Sequence, residues 1–135
     1  MSEQLAQLEK KGGSLSETVL WTNPSPGSSF SAQNVALSQS FRDFKYVKIY
    51  SKNSVTANAT AGIAVEPADI VNSTIVAYNR IVMLIGAAAS NVSAIYSRRL
   101  LYVNDTTLNI GATAPLNASG VDNNYSIPTK IIGLK

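Results

Sequence analysis

In Tyr46-Val47-Lys48-Ile49-Tyr50 every second residue is aliphatic. Successive side chains of a strand point to opposite faces, so Val47 and Ile49 share one face while Tyr46, Lys48 and Tyr50 share the other. Val47 and Ile49 are accordingly assigned to the core. Comparable short runs, rich in β-branched and aromatic residues, lie on either side: Glu17 to Trp21, Asn34 to Ser38, Ile75 to Tyr78, Ile81 to Ala88, Ser93 to Val103, Thr107 to Ile110 and Lys130 to Leu134. Clusters of Gly, Pro, Asn and Ser separate them. Eight short strands in a chain of 135 residues predict an all-β domain, an antiparallel β-sandwich of jelly-roll-like form.

The residues between these runs set where the chain must turn. Asn23-Pro24-Ser25-Pro26-Gly27 has to leave the first strand in an extended loop, because neither proline can donate to a ladder. Asn104-Asp105 separates two strands in the manner of a tight hairpin. Gly62, Gly86, Gly111, Gly120 and Gly133 stand singly, as turn or bulge residues do, and no phosphate-cradling glycine loop is present.

The start of the chain reads differently. Ser2 to Lys10 is rich in helix formers, and Met1, Leu5 and Leu8 are spaced to fall on one helical face before Gly12-Gly13 ends the pattern. So short a helix is marginal alone and needs a partner strand or bundle, so the segment is either a flexible tail or the end of a coiled-coil stalk or attachment peptide. The expected organisation is residues 1–13 as N-terminal attachment or coiled-coil segment and hinge, then residues 14–135 as a β-sandwich domain.

Composition narrows the function. Lys and Arg number 11 against 8 Asp and Glu, a net charge of +3 carried by only 14% charged residues. Soluble domains average about 25%. Ser, Thr, Asn and Ala take the place of the missing charge, a surface suited to a fixed assembly such as an oligomer or a virion. The only adjacent basic pairs are Lys10-Lys11 and Arg98-Arg99, a poor footprint for nucleic acid. The absence of Cys and His removes disulfides, thiolate metal sites, nearly all zinc sites, and Cys- or His-dependent nucleophilic catalysis. The longest apolar run, Ile81 to Ala89, has about half the length needed to span a bilayer, and Met1 to Lys11 carries no secretory signal. A soluble protein made in a cytoplasm is expected, without cofactor or membrane insertion.

Carboxylates are the remaining catalytic possibility. Glu66 and Asp69, split by Pro67, form the only close pair after the N-terminal segment, and they read as a solvated turn rather than a catalytic or calcium site. Asn-x-Ser/Thr recurs at Asn58, Asn72, Asn91, Asn104, Asn117 and Asn124, which in an Asn-, Ser- and Thr-rich chain is expected by chance. Trp21, Tyr78, Tyr96 and Tyr125 could offer flat rings for sugar stacking, although Trp21 reads first as core or subunit interface.

Two stretches resemble a known module: Leu20-Trp21-Thr22-Asn23-Pro24-Ser25-Pro26 followed by Phe30-Ser31-Ala32-Gln33-Asn34-Val35-Ala36-Leu37, and Asn123-Asn124-Tyr125-Ser126-Ile127-Pro128-Thr129-Lys130 through Lys135. They resemble the compact C-terminal β-sandwich of phage fibre, tail and head-appendage proteins. Ser126 stands where that pattern has Cys, and Arg80 is the candidate for a mid-chain Arg that recurs in it. The resemblance implies a virion structural protein assembled in the host cytoplasm, a homotrimer whose outer end meets a host-surface glycan or protein. In such a trimer Met1, Leu5 and Leu8 point to the axis.

Specificity in that setting belongs to loops. The loops Asn53 to Ala61 and Ala112 to Asn123 are the expected contact regions, with Asn53, Asn58, Asn117, Asp122 and Tyr125 as candidate ligand contacts. Two readings stay open beside the fibre tip: a capsid decoration or head-fibre protein docked to the shell by its N-terminal segment, and a carboxylate-type polysaccharide depolymerase. No recognisable acidic cluster favours the second, so the expectation is a non-enzyme.

Overall fold

The structure is a computed structural model and describes residues 16–72, 83–87, 95–115 and 121–135. The N-terminal segment with Met1, Leu5 and Leu8, the run Ile75 to Tyr78, and Arg80 lie outside the described residues.

Among the described residues the chain forms two antiparallel sheets. In the first, β1 (Glu17–Thr22), β9 (Tyr125–Leu134), β3 (Tyr46–Ser54) and β4 (Thr60–Val65) lie side by side in that order. The second runs β2 (Gln33–Ala36), β7 (Thr107–Ile110), β6 (Ile95–Asn104), β5 (Met83–Ala87), with β8 (Ala114–Pro115) also pairing with β6. The first strand pairs with the last and the second with the seventh, a nested pairing that gives the expected jelly-roll-like sandwich.

The alternation in β3 has the predicted consequence. Val47 and Ile49 are fully buried, joined from their own sheet by Leu20, Ile127 and Ile131 and from the opposite one by Val35, Leu100, Leu108 and Ile110. Each such side chain contributes about 1.5–3 kcal/mol on leaving water. Phe41, Phe44 and Ile70 fill out the same cluster. Phe44 lies flat on Gly133, where a Cβ would stand 2.4 Å from the ring, so only glycine fits beneath it.

Four local departures from the sequence reading have physical causes. β9 begins at Tyr125, not Lys130, and passes through Pro128. A register shift between Tyr50 and Ser51 marks a bulge opposite Thr129, and the proline is tolerated because β1 has already ended, its last pair being Thr22 with Lys130. Strand β4, Thr-Ala-Gly-Ile-Ala-Val, overlaps the expected Asn53–Ala61 loop; small residues and an exposed edge position hide it from a propensity reading. The expected Glu66–Asp69 turn instead opens the short helix α1 (Pro67–Asn72), with Pro67 in the first position, where its missing N–H costs nothing. The short pairing of β8 falls inside the expected Ala112–Asn123 loop.

The strand directions give the sandwich two distinct ends. At one, Lys135 N donates to Ser16 O and Lys45 N to Leu134 O, so both ends of the described fold meet there. The Asn104–Thr106 hairpin turn and the 3-10 turn Phe41–Asp43 share this end, linked by Arg42 Nε to Asp105 Oδ1 at 2.8 Å and Phe41 N to Asp105 O at 3.1 Å. At the other end the loops following β1 and β3 and the turn entering β9 come together. Their sequence positions are far apart; their spatial meeting is produced by the nested pairing.

Candidate functional site

The loop end is built around one buried cation. Arg98 on β6 is fully inaccessible and donates from Nε to Ser126 O at 2.7 Å, from Nη1 to Gly111 O at 3.1 Å, and from Nη2 to Asn123 O at 3.1 Å and Tyr125 O at 3.2 Å. Its guanidinium also lies 5.3 Å from the centroid of the Phe30 ring. Burial pushes its pKa down to about 10, so it remains charged at neutral pH, its charge held by carbonyl dipoles. The planar fork of arginine suits this many-sided task, and a lysine could not reach all four acceptors.

Arg98 fixes the 123–126 turn, and the turn fixes its neighbours. Asn123 O accepts from Phe30 N at 2.9 Å, while Asn123 Oδ1 accepts from Thr113 N at 3.1 Å. Asn124 O accepts from Val55 N at 3.0 Å, which ties the β3–β4 loop to the same turn. Ser126 sits at φ 52°, an uncommon backbone region for a residue with a side chain, and its buried Oγ has no protein partner. The Arg98 bond to its carbonyl holds it there.

Asn23 does the corresponding work for the loop after β1. Buried, it donates from Nδ2 to Pro128 O at 2.8 Å and accepts at Oδ1 from Ser25 N at 2.8 Å, and its N–H donates to Thr129 O. The two stretches that carry the phage-module resemblance are thus neighbours: β1 pairs with β9, and Asn23 and Asn123 stitch their loops together. Their polar residues build the frame of this end.

Two grooves flank Asn23. The first, about 340 Å³, is lined by Trp21, Phe30, Gln33, Asn34 and their neighbours, none of them charged, with Trp21 and Phe30 edge to face at 6.0 Å. The second, about 450 Å³, is lined by Thr22, Pro26, Lys52, Asn58, Thr60, Thr129 and Lys130 among others. Cross-strand pairing puts Tyr50 beside both Gly62 and Lys130, with Lys52 beside Thr60. The ammoniums of Lys48 and Lys130 lie 5.0 and 4.8 Å from the centroid of the Tyr50 ring. Gly62 makes room for this stack, since a Cβ there would come within 2.9 Å of Lys48 and 3.0 Å of the ring.

The sequence-predicted contacts divide accordingly. Asn53, near the end of β3, and Asn58, on the β3–β4 loop, are exposed at this end, and Asn58 lines the lysine groove. Asp122 belongs to the frame: its Oδ1 accepts from Asn124 N at 3.1 Å and its N–H donates to Thr113 Oγ1 at 3.0 Å. Tyr125 is half-buried and stacks on Tyr96, with centroids 5.1 Å apart and planes 5° apart. Asn117 and Tyr78 lie outside the described residues. Trp21 is half-buried against Phe30 and the core. Arg98, Asn123, Lys52 and Lys130 are the residues that sequence reasoning missed. Only the Arg98-Arg99 pair inside an otherwise apolar strand signalled one of them.

No protein-family model matches the chain, and no curated protein matches its sequence.

Proposed function

We propose that this chain is a bacteriophage virion structural protein, the fibre tip or receptor-binding module that presents its loop end to a glycan or protein on the host surface. The observation that carries this reading is the polarity of the sandwich. Ser16 and Lys135 meet at one end, and the loops after β1 and β3 and the turn before β9 meet at the other. A module attached through its N-terminal side would hold those loops outward. Loops braced by a rigid scaffold are where recognition is concentrated.

The low charge of the chain and the resemblance of both end motifs to phage appendage modules support the same reading. A fibre tip is expected to be a homotrimer, for which closed cyclic symmetry is the simplest assembly. Light scattering on the full chain, and on a chain beginning at Ser14, tests this. A trimer that dissociates on truncation places the contact in the N-terminal segment; one that survives places it in the sandwich. A monomer in both cases, with binding to assembled capsids, would replace the fibre reading with a capsid decoration protein.

A further inference from the structure

We propose that the groove between Lys52 and Lys130 binds the anionic groups, phosphate or carboxylate, of a cell-surface polysaccharide. This rests on the reading of the loop end as a receptor-binding tip and specifies what that tip recognises.

Charge is unevenly distributed over the fold. Lys45, Lys48, Lys52, Lys130 and Lys135, all the lysines among the described residues, lie on or beside β3 and β9, the two central strands of one sheet. Glu17, Asp43, Glu66 with Asp69 one turn beyond it, and Asp105 lie towards the end where Ser16 and Lys135 meet. At the loop end the acidic group is Asp122, already engaged by the Asn124 N–H. Among the described residues the ion pair is Arg42 with Asp105, and Lys48, Lys52 and Lys130 have no carboxylate partner. Two like charges drawn to one tyrosine ring raise the local positive potential, which an anion would relieve.

The groove offers more than charge. Lys52 Nζ donates to Val55 O at 3.2 Å, which fixes the side chain and leaves its other two N–H groups for a ligand. Thr22, Thr60 and Thr129 supply hydroxyls and Asn58 an amide, groups that bond sugar hydroxyls. The volume of about 450 Å³ lies within the range of small-molecule sites. The neighbouring Trp21 groove has no charged lining side chain and so provides an internal contrast.

The test measures binding of the full chain to immobilised polyglycerol phosphate, polygalacturonate, neutral dextran and duplex DNA at low and physiological salt. Binding to one or both anionic polysaccharide-type polymers is expected, with none to dextran, weakening as salt screens the contact. Which of the two binds distinguishes phosphate from carboxylate. Lys52→Ala and Lys130→Ala should each weaken binding about fivefold or more, the loss of roughly 1 kcal/mol per contact. Lys45→Ala and Lys135→Ala, at the opposite end, should leave it within about twofold, with thermal melts confirming that every variant is folded.

Equal losses from all four lysines would mean attraction to net charge alone and would overturn the proposal. So would tight DNA binding insensitive to Lys52 and Lys130, or failure of both anionic polymers to bind. Binding of dextran unaffected by the lysine variants would also overturn it, while leaving the receptor-binding reading in place with a neutral ligand. Failure of that broader reading is read separately, from binding to intact bacterial envelopes.

Discussion

Replacing Arg98 by methionine removes a cation that is fully buried and surrounded by carbonyl oxygens rather than carboxylates. Two terms of opposite sign decide the outcome. Methionine needs no desolvation of charge, and the lowering of the Arg98 pKa to about 10 by burial corresponds to a penalty of about 3 kcal/mol that the variant escapes. Against this, the variant loses hydrogen bonds from a charged donor, each contributing about 1.5–3 kcal/mol, strands the buried carbonyl of Ser126, and takes this donor from the part-buried carbonyls of Gly111 and Tyr125. The second term is larger. A net loss of about 3–5 kcal/mol is expected, in line with the removal of one partner from a buried charged network.

For a domain of this size that loss lowers the melting temperature by roughly 10–18 °C. Because the folded value lies below that of the unfolded chain, the penalty of burying this charge persists through neutral pH and is relieved only as pH rises through about 10. Denaturant unfolding at pH 7 is therefore the clean assay. Arg98→Lys keeps the charge but supplies a point donor in place of a fork, so it should lose nearly as much. Either variant unfolding within about 0.5 kcal/mol of the parent would refute the assignment of Arg98 as the anchor of the loop end.

Gly133→Ala drives a Cβ into the Phe44 ring, and overpacking of this kind should cost about 1–3 kcal/mol in denaturant unfolding. Ser126→Gly relieves a left-handed backbone and removes a buried hydroxyl without a protein partner, so it should raise stability by about 1 kcal/mol despite the added freedom of the unfolded chain. Asn23→Ala removes the bond to Pro128 O and the acceptor for Ser25 N, and a loss of about 1–3 kcal/mol is expected, with faster amide exchange at Ser25 and in the loop that follows.

Much of the sandwich was legible because the core strands obey a strict period. Tyr46 to Lys52 and Thr107 to Ile110 declare their buried faces by alternation, and Asn104-Asp105 marks the hairpin between β6 and β7. The edge strand β4 was hidden for a reason the structure makes plain. Gly62 and Ala64 are small where Tyr50 and Lys48 lie against them, so the residues that would announce a strand are absent. β9 extends five residues ahead of the expected Lys130 start, through a proline that only the bulge at Thr129 and the early end of β1 make acceptable.

The candidate site was less legible, since it depends on which loops meet. Asn53 and Asn58 are exposed at the loop end, whereas Asp122 and Tyr125 are engaged in its frame. Asn-rich loops look alike in sequence whether an amide is spent on the backbone, as in Asn23 and Asn123, or left at the surface, as in Asn58. Nor does a lysine announce that its neighbours across the sheet are another lysine and a tyrosine.

The chain contains no cysteine, so a single introduced thiol can carry a bulky polymer at a chosen end. The decisive measurement is cosedimentation of the full protein with envelopes from a panel of bacteria, comparing polyethylene glycol attached at Asn58→Cys with the same mask at Asp43→Cys. A receptor-binding tip should bind at least one envelope, lose that binding when masked at position 58, and keep it within about twofold when masked at position 43. Binding to no envelope, or binding abolished by the mask at 43 and untouched by the mask at 58, would contradict the assignment of the loop end as the recognition surface.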